Sequence, residues 1–258
     1  MIPKIIHYCW LSGETMPEEI KACVSSWQRV MPDWEFRLWD MRAIEGIDSI
    51  WLRETIQTRM WAFACDFIRL YAVYNYGGIY LDTDVYVFES FLPLLNNNCF
   101  IGRETSMHII NNRHVQVYLG SHCFGSVKGN LFIKKCLDYY DHRRFILSRK
   151  IDLPKSLRYD MTILPEIQTK IACEYGYDAR YRSNYLQNLD TLTVYPSTCF
   201  DSIKKTPDRY CAHLALGSWR DSRLAPPNYN LKYKITWRIE YIIGKILKLF
   251  NYTLIKLQ

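Results

Sequence analysis

The strongest constraint on this fold is a long apolar segment that ends at two glycines. A strand follows it, and an acidic triplet interrupts that strand. Residues 60–76 are apolar nearly all round, as in a buried helix, and Gly77-Gly78 supplies a glycine C-terminal cap. A strand then begins at 79–81, runs into Asp82-Thr83-Asp84 and resumes at 85–88. Side chains two apart in an extended segment point the same way, so Asp82 and Asp84 are predicted to present two carboxylates to one point.

The other apolar patterns alternate between strands and helices. A capping box of Thr15 and Glu18 is predicted to begin the first helix. Further strands are predicted at 4–10, 34–39 and 192–195, and further helices at 130–147 and 166–175. With 258 residues and 49% hydrophobic content the chain can bury a full core. We therefore expect residues 1–227 to form one α/β domain on a single mixed, mostly parallel sheet flanked by helices.

Cysteine usage and the amino-terminal sequence favour a reducing compartment. The nine cysteines are odd in number and never closer than twelve residues, so they form no zinc-binding pattern of the C-x-x-C kind. Residues 1–7 lack the basic, apolar and small-residue regions of a secretory signal. The expected location is cytoplasmic.

The formal charge of +7 is concentrated near the carboxyl terminus. Residues 228–258 carry six Lys or Arg and one Glu, interspersed with aliphatic residues, in a basic amphipathic pattern. Because the rest of the chain is nearly neutral, a nucleic-acid partner is not expected. We predict that this helical tail holds the protein peripherally on the anionic inner face of a membrane. The alternative is that its apolar stripe packs back on the domain.

The acidic triplet fits a hard divalent cation. Mn²⁺ or Mg²⁺ commonly bridges one or two carboxylates to substrate phosphates, and in sugar transfer it neutralises the departing nucleotide diphosphate. An isolated Asp-x-Asp is weak evidence, but Asp66 and Arg69 add an acid and a base at i and i+3 on an otherwise apolar helix. Such charges need partners when buried. They form either an internal ion pair or contacts with the hydroxyls of a donor sugar.

Three ordered segments resemble glycosyltransferase family 32. Ala64-Cys65-Asp66-Phe67-Ile68-Arg69 followed by Tyr76 to Asp84 is similar to the family's A-S-D-x-x-R…G-G-x-Y-x-D-x-D block. Residues 2–10 resemble its opening I-P-K-x-I-H-x-x-W, and residues 213–219 its closing H-x-x-x-x-S-W. The family includes fungal initiating mannosyltransferases and bacterial capsule enzymes, and its block is similar to that of clostridial glucosylating toxins. Two positions depart from it: Cys65 replaces Ser, and Leu164-Pro165 replaces Gly-Pro.

The resemblance implies a GT-A fold and a retaining, Mn²⁺- or Mg²⁺-dependent hexosyltransferase. The donor would be a nucleotide sugar, UDP-sugars being favoured over GDP-mannose, and the acceptor a saccharide or lipid-linked saccharide in polysaccharide biosynthesis. Asp66, Arg69, Asp82 and Asp84 would form the catalytic set, and His213 would complete the metal shell of Asp82 and Asp84. The expected donor-binding residues are Trp10 stacked on the base, Asp66 and Arg69 on the sugar, Tyr80, Asp82 and Thr83, and Ser218 and Trp219 on a closing loop.

Other interpretations compete with this one. A strand followed by Asp82-Thr-Asp84-Val85 also resembles the first motif of haloacid-dehalogenase-type phosphatases, in which Asp82 would be the nucleophile. A membrane-bound protein that binds sugar without turnover is the non-enzymatic alternative. Trp10 and Trp219 also suit structural positions, and so does His213. We interpret His7 as structural, and four histidines show no partner pattern: His108, His114, His122 and His142.

Overall fold

A computed structural model describes residues 1–110, 114–202 and 206–216. Residues Met1–Leu216 form one compact unit. Several predictions lie outside the described residues: the roles of Ser218 and Trp219, the domain boundary at 227 and the helical tail at 228–258. None of the helices in the described part of the chain is long and apolar enough to cross a membrane.

A mixed seven-stranded sheet forms the centre of the fold, as predicted. Strands are numbered along the chain, and from one edge to the other they are β2 (Glu35–Trp39), β1 (Ile5–Cys9), β3 (Gly78–Leu81), β8 (Leu119–Ser126), β5 (Cys99–Arg103), β10 (Thr193–Tyr195) and β9 (Gln187–Asn188). Strand β1 is parallel to β2 and β3, and β10 is parallel to β5. The other three described pairings are antiparallel. Five of the seven strands (β2, β1, β3, β5 and β10) therefore run in one direction, as expected for a mostly parallel sheet, and only β8 and β9 run the opposite way.

Among the described residues, two short antiparallel pairs lie outside this sheet. Strand β4 (Val85–Val87) pairs with β11 (Cys211–His213), and Val85 lies opposite His213. Strand β6 (His108–Ile110) pairs with β7 (His114–Gln116). The first pair matters for function, because it places the late histidine beside the acidic triplet.

Helices cover both faces of the sheet. They are α1 (Glu18–Val30), α2 (Ile50–Gln57), α3 (Trp61–Tyr76), α4 (Leu131–Asp138), α5 (Lys155–Arg158), α6 (Leu164–Glu174) and α7 (Ser197–Phe200), with one 3₁₀ turn at Leu92–Leu94. On β3, Tyr80 belongs to the core that contains α3, whereas Ile79 and Leu81 belong to the core that contains Trp27 of α1. This alternation is the period of two expected for a strand buried on both faces.

Two helix predictions are corrected by the structure. Helix α1 begins at Glu18 with Pro17 at its N-cap and no capping side chain, so Glu18 is the first helical residue and cannot close a box with Thr15. Helix α4 ends at Asp138 instead of continuing to residue 147. The chain turns there so that the rings of Tyr140 and Phe145 pack edge-on against Trp51, at 4.9 and 5.1 Å between centroids.

Candidate active site

The acidic turn between β3 and β4 is placed by a close approach of backbones. Gly77 and Gly78 both have positive φ, and a Cβ on Gly78 would lie 2.7 Å from the carbonyl oxygen of Ile5. The glycine pair thus ends α3, as predicted, and lets β3 lie directly beside β1. At the far end of β3, the N–H of Asp82 donates to the carbonyl of His122 at 2.9 Å. The turn is therefore fixed at the end of the sheet.

Asp82, Asp84 and His213 lie together. One potential ligand atom from each lies within 4.8 Å of the other two, and His213 Nε2 is 3.3 Å from Asp84 Oδ1. Asp84 is buried, and its Oδ2 accepts the N–H of Leu216 at 2.9 Å. Two carboxylates and one imidazole are donors that Mn²⁺ accepts, whereas Mg²⁺ favours oxygen alone. The residues predicted as metal ligands therefore fit a divalent cation in type and proximity.

Charge pairing controls the ionisation of Asp84 and His213. Burial, the strongest influence on Asp84, raises the pKa of its carboxyl, but the hydrogen bond and charge of His213 and the Leu216 N–H bring that pKa below its usual value. Burial lowers the pKa of His213, but Asp84, and after it Asp82 and Asp201, raise that pKa above its usual value. The hydrogen bond between Asp84 and His213 therefore favours the charged form of each side chain. A bound metal would replace the proton on His213.

Arg69 lies between the carboxylates of Asp66 and Asp82. Its Nη2 is 3.3 Å from Asp66 Oδ1 and 3.1 Å from Asp82 Oδ1, and its Nη1 donates to Asp82 Oδ2 at 3.3 Å. Nη1 also donates to the carbonyl of Ser121 at 2.8 Å, and Nε to the carbonyl of Cys65 at 3.2 Å. The residue is only 5% exposed. The two predicted charges on α3 thus form an ion pair that extends to the acidic turn and orients Asp82.

Asp66 is buried and lies beside the start of α6. Its Oδ2 accepts the N–H of Leu164 at 3.2 Å. Burial raises the pKa of Asp66 to about 6, although Arg69 and the Leu164 N–H act in the opposite direction. The segment Leu164-Pro165, which departs from the family pattern, therefore contacts Asp66 through its backbone, a contact that does not depend on the Leu side chain.

The remaining predicted donor-binding residues occupy different positions. Tyr80 is buried, donates its hydroxyl to Asp82 Oδ1 at 3.0 Å and lies under the guanidinium of Arg69, which is 4.6 Å from the ring centroid. It supports Asp82 and is a positioning residue. Thr83 is buried within the turn. Trp10 follows β1, is partly exposed and donates Nε1–H to the carbonyl of Glu14 at 2.6 Å. Its proposed stacking on the donor base stays a prediction.

The interpretation of His7 as structural is confirmed. Its Nε2 is 2.8 Å from the carbonyl oxygen of Gly77, and its Nδ1 accepts the indole N–H of Trp39 at 3.1 Å. These two partners fix the neutral tautomer in which Nε2 carries the proton. Burial, the strongest influence, lowers the pKa of His7 to about 4.

Sequence reasoning missed three residues around the site. Ser121 provides a carbonyl and a hydroxyl to Arg69, at 2.8 and 3.2 Å. His122 stacks on His213 with 4.6 Å between ring centroids, and Asp201 lies beside the same pair. No local pattern marks these residues, because β8 and α7 reach the site only through the topology of the sheet.

Comparison with known proteins agrees with the resemblance. Residues 17–101 match a family model described as a glycosyltransferase sugar-binding region containing DXD motif. The chain is similar to inositol phosphoceramide mannosyltransferase 3 of Schizosaccharomyces pombe, 34% identical over 115 residues, which are 43% of this chain and 32% of that protein. It is also similar to a mannosyl phosphorylinositol ceramide synthase of Saccharomyces cerevisiae, 29% identical over 57% of this chain and 37% of that protein. Among solved structures, PaToxG glycosyltransferase aligns with a TM-score of 0.44 and 18% identity over 67% of this chain and 69% of that one.

The matched segment contains Asp66, Arg69, Asp82 and Asp84 but not His213. Residues 17–101 thus resemble a DXD-containing sugar-binding region of the glycosyltransferase type, which confirms the predicted resemblance and agrees with the predicted enzyme class. The chain spans about a third of the length of the curated relatives that it matches.

Proposed function

We propose that this chain is a divalent-metal-dependent glycosyltransferase of the GT-A type that moves a hexose from a nucleotide-diphosphate sugar to a saccharide or lipid-linked saccharide. The observation that carries this proposal is the convergence of Asp82, Asp84 and His213 beside the buried Asp66–Arg69 pair. On this proposal, the group that binds the cation lies next to a second polar group suited to sugar hydroxyls. Retention of anomeric configuration and a role in polysaccharide biosynthesis are further parts of the proposal.

Different residues are proposed to act on the diphosphate and on the sugar of the donor. Asp82, Asp84 and His213 would hold Mn²⁺, which neutralises charge on the leaving diphosphate when bound. Arg69 and Tyr80 hold the Asp82 carboxylate in one orientation, so little reorganisation is needed when charge develops. Asp66, with a pKa raised to about 6, can accept or share a proton with a sugar hydroxyl near neutral pH.

UDP-sugars are the proposed donors, and GDP-mannose is the alternative. Two of the relatives described above bear the names of mannosyl-transferring proteins, which makes GDP-mannose the natural comparison. The test is nucleotide diphosphate release by the purified full chain with Mn²⁺ and each nucleotide sugar, with and without saccharide acceptors. Mn²⁺-dependent release that increases with an acceptor supports transfer. Donor binding without release under every condition would favour the passive sugar-binding alternative instead.

The geometry does not favour the phosphatase interpretation. An aspartate nucleophile needs a carboxylate oxygen directed at the phosphorus atom. Both oxygens of Asp82 interact with Arg69, and Oδ1 also accepts the hydroxyl of Tyr80. Release of phosphate from a phosphomonoester by the wild-type chain, if it is abolished in Asp82→Asn, would support the phosphatase interpretation.

A membrane surface is the proposed location of the acceptor. Residues 147–158 form a surface segment that is closed by a hydrogen bond from the N–H of Leu147 to the carbonyl of Arg158, at 2.8 Å. Leu147, Ile151 and Leu157 are 60%, 84% and 58% exposed. The same surface segment exposes three basic side chains: Arg149, Lys150 and Lys155. Exposed aliphatic and basic groups together suit an anionic lipid surface, each charge contributing about 1 kcal/mol near it.

Liposome co-sedimentation tests this location. We expect the full chain to bind anionic vesicles, and both Ile151→Asp and a chain that ends at Pro227 to bind more weakly. Vesicles of neutral lipid are the control for charge. Equal binding by all three proteins, or no binding by the full chain, would contradict the membrane proposal without affecting the proposed chemistry.

A further inference from the structure

A second group of metal-ligand side chains lies next to the acidic turn. His122 of β8, Asp201 after α7 and His213 of β11 each offer an atom within 4.8 Å of the other two. We propose that these three residues form a second cation site, selective for Zn²⁺ and similar transition-metal ions, that shares His213 with the Asp82–Asp84 site. This inference goes beyond the proposed function, because it assigns a separate ligand to His122 and Asp201, which the proposed sugar transfer does not use.

His122 is held in an orientation suited to metal binding. Its Nε2 is 3.2 Å from the carbonyl oxygen of Phe200, and a proton on Nε2 leaves the lone pair of Nδ1 available. Histidine ligands characteristically donate their second ring N–H to a carbonyl or carboxylate in this way. The ring lies against Gly120, where a Cβ would come within 2.6 Å of the His122 Cε1 atom. Glycine at this position therefore makes room for the imidazole.

Asp201 is oriented by the same turn that holds His122. Its Oδ2 accepts the backbone N–H and the hydroxyl of Thr105, at 2.6 and 2.7 Å. Its own N–H donates to the carbonyl of Ser197 at 3.0 Å. Because Phe200, which accepts from His122, directly precedes Asp201, one short segment of backbone fixes two of the three ligands. The third, His213, stacks on His122 with an interplanar angle of 17°.

The two sites differ in the chemistry of their donors. Asp82, Asp84 and His213 supply two carboxylates and one imidazole, whereas His122, Asp201 and His213 supply two imidazoles and one carboxylate. Imidazole nitrogen suits Zn²⁺ and Co²⁺, while carboxylate oxygen suits Mn²⁺ and Mg²⁺. Ligand atoms around a tetrahedral Zn²⁺ lie about 3.4 Å apart. Because the lone pairs of two stacked imidazoles do not converge, binding would draw the three ligand atoms together and rotate the ring of His213 out of its stack with His122.

Sharing of His213 makes the two sites mutually antagonistic. An ion bound to His122 and Asp201 would draw His213 away from Asp84, to which His213 Nε2 now lies at 3.3 Å. The Asp82–Asp84 site would then lose its imidazole. The expected consequence is that low concentrations of Zn²⁺ weaken Mn²⁺ binding.

Cobalt binding tests the site without any measurement of sugar transfer. Co²⁺ replaces Zn²⁺ in nitrogen and oxygen sites, and the intensity of its visible absorption reports its coordination geometry. The full chain is titrated with Co²⁺ in its wild-type form and as Asp201→Asn, His122→Asn, Asp82→Asn and His142→Asn. His142 is an exposed histidine with positive φ, which Asn also adopts, and it serves as the matched control.

We expect a visible Co²⁺ band in the wild-type chain and a dissociation constant at least roughly tenfold higher in Asp201→Asn and His122→Asn. His142→Asn should keep the wild-type affinity, and Asp82→Asn, which removes a ligand of the competing site, should bind Co²⁺ no more weakly than the wild type. Loss of the band in Asp82→Asn with unchanged binding in Asp201→Asn would place the ion in the acidic turn and overturn the proposal, as would the absence of any band. Circular dichroism checks folding; if His122→Asn does not fold, the isosteric Asp201→Asn decides. Failure of the transferase proposal would leave these binding results unchanged.

Discussion

Arg69 Nη2 lies 3.1 Å from Asp82 Oδ1, so a charge on the helix before the glycine pair fixes the first carboxylate of the acidic turn. The same nitrogen is 3.3 Å from Asp66. One guanidinium therefore joins the group proposed to bind the sugar to the group proposed to bind the metal.

Replacement of Arg69 by Lys should uncouple these two groups. A single ammonium cannot reproduce the planar fork that contacts Asp66, Asp82 and Ser121 at once. We expect Arg69→Lys to lower kcat/KM by at least roughly tenfold and to weaken Mn²⁺ binding, at a cost of about 1–3 kcal/mol in the free energy of unfolding. Arg53→Lys, on an exposed ion pair with Asp48, is the control. Unchanged Mn²⁺ affinity and turnover in folded Arg69→Lys would remove the residue from the site.

Asp66→Ala distinguishes sugar recognition from a purely structural ion pair. If Asp66 contacts the donor sugar, the variant should lose transfer but keep its affinity for the free nucleotide diphosphate, because the acidic turn is left intact. The measurements are turnover and calorimetric binding of UDP and GDP with Mn²⁺. A lower melting temperature with unchanged activity per folded molecule would show that the pair only holds α3 in place.

The local part of the site follows from the sequence, and the long-range part does not. Asp66–Arg69 and Asp82–Asp84 were identified because helical and extended periodicities each bring residues at short spacing to one side. His213 is predicted as a metal ligand only by the family resemblance, because its position opposite Val85 depends on the pairing of β11 with β4. His122 lies at the site because β8 pairs antiparallel with β3, and no local sequence pattern predicts that pairing. Likewise, the helical pattern continues after residue 138, but the helix ends there and Tyr140 packs on Trp51.

His7 makes the stability of the fold sensitive to acid. Its pKa is about 4 in the folded chain against an ordinary 6.5, so the unfolded chain binds the extra proton first as pH falls. Stability from this group is fully present above about pH 6.5 and is lost progressively down to about pH 4, by up to about 3 kcal/mol. The pH dependence of urea unfolding should therefore be shallower over that window in His7→Gln than in the wild type. His142→Asn should follow the wild-type curve, and a His7→Gln curve parallel to the wild type would contradict this assignment.

The central claim is that Asp82 and Asp84 hold a cation on which sugar transfer depends. The direct measurement is nucleotide diphosphate release from the best nucleotide-sugar donor by wild type, Asp82→Asn and Asp84→Asn, each in Mn²⁺ and after EDTA, with the exposed Asp48→Asn as control. Loss of one carboxylate should remove several kcal/mol of transition-state stabilisation. We predict turnover at least roughly a hundredfold lower in both site variants, no turnover in EDTA, recovery on addition of Mn²⁺, and wild-type rates in the control. Near-wild-type turnover in either folded site variant, or full activity in EDTA, would contradict the claim.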